Sequence, residues 1–585
     1  MLKNKIKKFK YWISVSVMAA SFIAIIVSCK QEKPKDIVLW QSTDPIKLNP
    51  MTSTDAGGRR IIERIFQPLL QVDYFTYELV PVLMTSRPVI EEINDSTIAM
   101  KCEIREEAVW DDTGEDITGK DVDFTLRLMK SPGAAVSGVG LYADFIKDIK
   151  IDDTNNKKFV LYCKPYMLME TALASIVIMP KHIYDPEHIL DDFTVSDLTL
   201  KKNELEENSE LTRYAKFFNE IDFQKNIVVG SGPYLLDSWD DKQKVTLKRK
   251  ENWWADSVVD GNSWLKAYPK MLVYKTIPDI NTAVSALRAE ELDVMQKIDP
   301  RKFVEELRKD ADFTSKFHHG TPSQFIYSYL GMQMNHPKFE DLRTRQALRY
   351  LMDVEEYSDR VFFGLGERVS TFIHPSNTKF INEDIPLHEY NLDKAKALLA
   401  AAGWTDSNQD GTLDRIIDNE RVDFKIEVLY PQVATTSEEG VLLFKNTCEK
   451  AGIKIIPVGM DFKVMLEKLS DGEFEMFLGL WQASIVESDP SQIWHTKYIG
   501  NGHNYFGFGN AQSDAILDAL VEELSEQKRA KLYKQLQQVI DDEVPCIFML
   551  AVRNRVAVHK RIKEPNFSSL GRGYWEQGFQ VEAVQ

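Results

Sequence analysis

The sequence predicts a mixed α/β protein of several domains that is carried out of the cytoplasm. Short segments alternating apolar and polar residues stand beside longer helical stripes, without the strict strand–helix–strand repetition of a parallel α/β sheet. The chain has 585 residues, enough for three or four units at roughly 100–200 residues each. Its N-terminus has the layout of an export signal.

Lys3, Lys5, Lys7, Lys8 and Lys10 form a basic start with no acid, an apolar run follows from Trp12 to Val27, and Ser28-Cys29 ends it. A basic start, a short apolar run and small residues at the cut describe a secretory signal, residues 1–28. The run is shorter than the ~20 residues of a helical membrane span. Ile26-Val27-Ser28-Cys29 resembles a bacterial lipobox, where cleavage leaves a lipid-modified Cys29. The alternative is an uncleaved signal anchor, and both readings place the bulk of the chain outside the cytoplasm. Cleavage leaves 557 residues carrying 67 Lys and Arg against 89 Asp and Glu, a net charge of −22. Such a surface repels nucleic acid, and no basic stripe argues otherwise.

Residues 29–36 are polar and contain a proline, as a tether between lipid and domain would be. Ile37-Val38-Leu39-Trp40 reads as the first strand. Ile98–Ile104 and Val245–Arg249 alternate as half-buried strands do, and the polar segment Lys201–Glu210 reads as a surface loop or exposed helix. Gly230-Ser231-Gly232 reads as a tight turn whose glycines allow positive φ. Asn391 caps an expected helix with apolar face Leu392, Ala395, Leu398, Leu399 and Ala402, ended by Gly403. Ile516, Leu517, Leu520 and Leu524 form a second stripe. Leu532, Leu536, Val539 and Ile540 form a third, stopped before Pro545.

No motif of an enzyme or a cofactor site is present: no GxSxG, Walker, HExxH or dinucleotide-binding glycine pattern. His318-His319 lacks the further convergent ligands of a metal site. Asp406, Asn408 and Asp410, followed by Gly411, match the start of a calcium loop, but Ile417 stands where a bidentate carboxylate is needed. An Asp/Asn/Gly turn is the simpler reading, and weak calcium binding the alternative. Cys102, Cys163, Cys448 and Cys546 read as buried thiols, with a Cys102–Cys163 disulfide as the alternative that export permits.

Read in order, seven segments resemble motifs of the dipeptide and oligopeptide family of ABC-importer solute-binding proteins (family 5). They are Ser42–Pro50 (STDPIKLNP), Ile61–Leu70 (IIERIFQPLL), Cys102–Leu128 (CEIREEAVWDDTGEDITGKDVDFTLRL), Val229–Leu235 (VGSGPYL), Lys248–Trp254 (KRKENWW), Phe339–Gly366 and Asn391–Trp404. The resemblance implies a two-lobed α/β fold of the type II periplasmic-binding-protein kind (the large cluster C), with an extra α+β domain inserted in the first lobe. It sets the first lobe at 37–62, 225–278 and 550–585, the inserted domain at 63–224 and the second lobe at 279–549. Hinges would lie near Pro278 and Pro545–Leu550.

It also implies a function without catalysis or cofactor. A solute, expected to be a peptide, is captured by closure of the lobes and passed to a permease powered by a separate ATPase. The alternatives are another solute on the same fold (a glycan fragment, metal chelate or haem), a ligand-sensing lipoprotein without transport, and an outward-facing enzyme. A monomer is expected, because the lobes must move. The implied ligand contacts are Thr54, Asp55 and Ala56 of the first lobe, Tyr142 of the inserted domain, and Asn252 and Trp253 beside the cleft, where Trp253 and Trp254 are alternatively core aromatics. In the second lobe they are Trp481, Ser484, Glu487 and Asp489.

Family members hold a peptide ammonium with an aspartate three residues after a tryptophan, and here Ser484 stands at that place after Trp481. A buried ammonium needs a charge partner. The expectation is therefore that Glu487 or Asp489 takes over, Glu487 first, while Asp489-Pro490 alternatively only starts a helix.

Overall fold

The computed structural model describes residues 36–134, 143–258, 262–432 and 435–581. Cys29 and Tyr142 lie outside these residues. Two large sheets organise the chain, as expected for two lobes. One has seven strands, in the order Phe317–Gly320, Val556–His559, Val294–Met295, Ile37–Gln41, Met271–Thr276, Lys244–Arg249 and Tyr234–Asp240. The other has six: Gly366–Arg368, Cys546–Arg553, Ser323–Met332, Met476–Gln482, Lys425–Pro431 and Lys454–Met460. A four-stranded antiparallel sheet, Val89 to Cys163, lies in the inserted segment. Among the described residues no helix is long and apolar enough to cross a membrane.

Sheet membership moves the expected lobe limits. Val294–Met295 pairs with Leu39 and with Val558, and Phe317–Gly320 pairs with His559 to Val556, so residues up to 320 belong with the first sheet rather than the second. Cys546–Arg553 pairs throughout with Ser323–Met332 and belongs with the second. The crossings are therefore not at Pro278 and Pro545–Leu550. They are the two-residue links 321–322 and 554–555, side by side, because Gly320 and Val556 are cross-strand partners. The Asn554 N–H donates to Pro322 O at 2.8 Å, joining one crossing to the other.

The family-like motifs have local structural reasons. Trp110 Nε1 donates to Asp121 Oδ1 at 3.2 Å, and Asp121 closes a capping box with Thr118 at the start of helix Gly119–Lys130. Asp111, beside that tryptophan, pairs with buried Lys250, whose Nζ also donates to Gly230 O at 2.6 Å. That ion pair ties the inserted domain to the first lobe. Asn391 caps helix Leu392–Ala401 by accepting the Lys394 N–H, and Gly403 (φ +87°) ends it. Trp404 then stacks on Phe424, ring centroids 3.8 Å apart.

The glycines of Gly230-Ser231-Gly232 serve close approach, not positive φ, which neither adopts. A Cβ at Gly230 would sit 2.4 Å from Ile65 O and one at Gly232 2.7 Å from Arg64 O. Both clashes are with backbone, which cannot swing away. Gly232→Ala is expected to cost about 3 kcal/mol, at the upper end for overpacking, measured by urea unfolding of the purified protein.

The first-lobe core also holds charge. Arg60 and Arg64, on helix Ala56–Ile65, both reach Glu576 Oε1, through Nε at 3.2 and 3.4 Å, and all three side chains are at most 3% exposed. The guanidiniums lie over aromatic rings, Arg60 4.6 Å from the Tyr274 centroid and Arg64 4.8 Å from that of Trp575. Burial alone would raise the Glu576 carboxyl, but Arg64 and Arg60 pull its pKa down to about 2.

Cys102 and Cys163 are free buried thiols, each opposite another residue in the sheet (Phe159 and Ile98). The loop at 406–414 is a turn: Asp406 accepts the Asp410 and Gly411 N–H groups, and Asp414 accepts from Ser407. His318 and His319 follow one another on a strand, so they point to opposite faces of the sheet.

Candidate functional site

The loop between strand Met476–Gln482 and helix Ser491–Trp494 walls a cavity of about 330 Å³ in the second lobe. Trp481, Ser484, Glu487 and Asp489 all line it, together with Asn377, Phe380 and Tyr533. A second cavity, also about 330 Å³, shares Asn377, Phe380, Val486 and Glu487 with the first. The inserted domain completes it through Tyr77, Arg87, Tyr166 and Glu170. The combined space therefore runs from the second lobe to the inserted domain, and each part has the size of a small-molecule site. The two bodies also touch directly. The Met167 N–H donates to Val521 O at 2.9 Å, and Lys379 lies 3.7 Å from Glu78 and 3.6 Å from Glu526.

Helix Glu526–Glu543 positions the wall. Beside its apolar stripe, Arg529, Tyr533 and Gln537 recur every four residues and are buried. Tyr533 donates its hydroxyl to Ser488 O, holding the site loop. Gln537 donates to Phe380 O at 2.8 Å and accepts from the Asn382 N–H at 2.9 Å, holding the segment that carries Asn377 and Phe380. These polar residues, spaced to share one helix face, were the sequence signal that the apolar stripe concealed.

Arg529 distinguishes the surroundings of the two candidate carboxylates. It grips Glu487 with two parallel bonds, Nε to Oε1 and Nη2 to Oε2, the latter 2.6 Å, and its Nη1 donates to the Glu523 and Leu524 carbonyls. Such a fork is strong and its geometry fixed. Burial raises the Glu487 carboxyl and Arg529 opposes that rise. The Glu487 carboxylate, which lines the cavity, thus already faces a cation of the protein itself. Asp489 differs. Its Oδ1 accepts the Ser491 N–H at 2.9 Å, and no cation lies within ion-pair distance of it among the described residues.

The first-lobe candidates do not join these cavities. Asp55 caps helix Ala56–Ile65 by accepting the Gly58 N–H at 2.6 Å, flanked by exposed Thr54 and Ala56. Asn252 is exposed. Trp253 is 2% exposed and, like Trp254, donates its indole N–H to Ser231 O, at 2.9 and 3.0 Å. It is a core residue and not a cleft wall, because the tight glycine turn brings that carbonyl beneath it.

Comparison with known proteins matches this architecture. Residues 78–503 match the model of the bacterial extracellular solute-binding proteins, family 5 Middle. The oligopeptide-binding protein AppA of Bacillus subtilis is 26% identical over 542 residues, 91% of this chain and 89% of that protein. Its structure in complex with a nonapeptide superposes with a TM-score of 0.67 at 23% identity, covering 94% of this chain and 99% of that one. NikZ from Campylobacter jejuni, in complex with Ni(L-His), gives 0.68 at 20% identity over 93% and 98% of the two chains. Such relatives are solute-binding proteins and not enzymes. The chain shares its fold with them, and its family-model match spans most of its length: it belongs to the bacterial extracellular solute-binding proteins of family 5, the peptide type found with ABC importers.

Proposed function

We propose that the protein captures a peptide outside the cytoplasm, while anchored to a membrane through a lipid on Cys29, and delivers it to an ABC permease. The observation that carries this reading is the cavity beside the Trp481–Pro490 loop, where Asp489 has no cation within ion-pair distance among the described residues. An extended peptide can lay its main chain along strand edges whatever its side chains are, and its ammonium finds in Asp489 the partner that desolvation demands. AppA, which matches along most of both chains, is an oligopeptide-binding protein by name.

A second reading, a non-peptide solute on the same fold, is favoured by Ser484 at the family's aspartate position and by the Ni(L-His) complex of NikZ. Mass spectrometry of material released on denaturing residues 30–585, purified without added ligand, separates the two. Peptides are the expected result. One non-peptide mass would replace the first reading with the second.

A further inference from the structure

The inserted domain and the first lobe share one continuous core. Leu39 and Tyr274 of the seven-stranded sheet lie in the same buried cluster as Met100 and Leu161 of the four-stranded one. Hydrogen bonds cross the same boundary: Asn262 Nδ2 donates to Pro81 O at 2.6 Å, and the Trp264 indole N–H to Val72 O at 2.8 Å. The inserted domain therefore moves with the first lobe. Met167 is the exception to this division. It lies in the inserted domain, between strand Lys158–Cys163 and helix Met169–Leu173. Yet it is 6% exposed, in a cluster whose other buried members all fall between Phe325 and Ala551, in the second lobe. Tyr166 and Leu168, on either side of it, pack against the same cluster.

The main chain of Met167 is held as well. Its N–H donates to Val521 O at 2.9 Å. Val521 stands in the last turn of helix Ala511–Glu522, where carbonyls lack a partner within the helix. Lys379 of the second lobe lies 3.7 Å from Glu78 of the inserted domain, but their side chains are 51% and 60% exposed, so that pair adds little. Met167 carries the contact. Methionine suits one that must come undone, because it is unbranched and packs well against rings, and this cluster holds Phe325, Phe380 and Tyr533. Tyr166, Met167 and Glu170 also line the second cavity, with Phe380 and Glu487 of the second lobe. The lobes cannot part, and that cavity cannot open, until Met167 leaves the second lobe and Val521 O is freed.

We propose that Met167 is the tongue of a latch that holds the inserted domain on the second lobe and keeps the lobes closed in a share of the molecules that carry no cargo. The latch rests on the reading of the protein as a solute-binding protein whose lobes close, and on nothing about the chemistry of the solute. Met167 is a positioning residue, since it sets how far the cavity walls are assembled before a solute arrives. A competent state populated in advance strengthens the binding of every solute by the same factor.

The test is small-angle X-ray scattering of residues 30–585, freed of bound material by unfolding, dialysis and refolding, as wild type, Met167→Gln and Met167→Leu. Glutamine keeps the length of the side chain but brings an amide into an apolar cluster, so the latched state is penalised and the open one is not. Met167 lies outside the core that the inserted domain shares with the first lobe, so the fold should survive, as unchanged circular dichroism would check. The expected result is a larger radius of gyration for Met167→Gln than for the wild type, and the wild-type radius for Met167→Leu. Calorimetric titration with one mixed pentapeptide pool should then give a Kd raised about tenfold in Met167→Gln and restored in Met167→Leu. Equal radii for the wild type and Met167→Gln overturn the latch. Should the pool bind none of the three proteins, the peptide reading fails and the radii still decide the latch. Should Met167→Gln not fold, hydrogen exchange of the Met167 amide in the cargo-free wild type decides instead: protection supports the latch, and exchange at the unprotected rate overturns it.

Discussion

Glu576→Gln is expected to destabilise the protein by about 3–5 kcal/mol, the range for breaking a buried ion pair by removing one partner. The substitution keeps the shape and removes the one carboxylate that Arg60 and Arg64 share. Both guanidiniums then stand buried against aromatic rings, and the cation–π contacts, at ~2 kcal/mol or less each, do not replace the lost charge. The acid limb gives an independent check. The folded pKa, about 2, lies below the ordinary value of 4.5, so the pair's contribution is complete above pH ~4.5 and lost as pH falls to 2. Urea melts between pH 7 and 2 should show the gap between wild type and variant closing over that window. A gap that stays constant to pH 3, or one below 1 kcal/mol at pH 7, would contradict the assignment.

Asp489→Asn is expected to weaken binding of free-amine peptides about a hundredfold, the effect of truncating one partner of a desolvated charge pair. Asparagine keeps an oxygen for the Ser491 N–H, so the loop survives while the charge goes. Glu487→Gln should behave in the opposite way. It leaves Arg529 without its carboxylate and lowers the melting temperature, yet shifts affinity less than about threefold, because that charge was already matched. N-acetylated peptides complete the cycle: acetylation should weaken binding to the wild type and add nothing in Asp489→Asn. Loss of binding in Glu487→Gln with Asp489→Asn unaffected would return the role to Glu487.

The loop Trp481–Pro490 was legible in the sequence because a tryptophan, a missing aspartate and a nearby Asp-Pro stand close together in the chain. Its state of charge was not. Arg529 lies 42 residues from Glu487, and no local pattern announces a partner at that distance. The motifs with turn or cap chemistry were readable for the same reason in reverse: Asn391, Gly403 and the Trp110–Asp121 box act within a few residues of themselves. The lobe limits were misread because the strands that decide them are poor strands by pattern. Val294–Met295 has two residues, and Phe317–Gly320 contains two histidines. Only pairing with the C-terminal strand Val556–His559 makes them part of a sheet. Trp253 belongs to the same class, since an indole beside a motif does not tell which way it faces.

Arg60 bonds to a residue 516 positions further along the chain, and Val294–Met295 gains one of its two neighbours only from Val556–His559. During synthesis the first half of the seven-stranded sheet leaves the ribosome early and then waits. It lacks an edge partner and the counter-charge for its two buried arginines until the last thirty or so residues have been made. Contacts of such long sequence separation form slowly. The N-terminal portion therefore has no complete lobe to fold into while the chain is still growing.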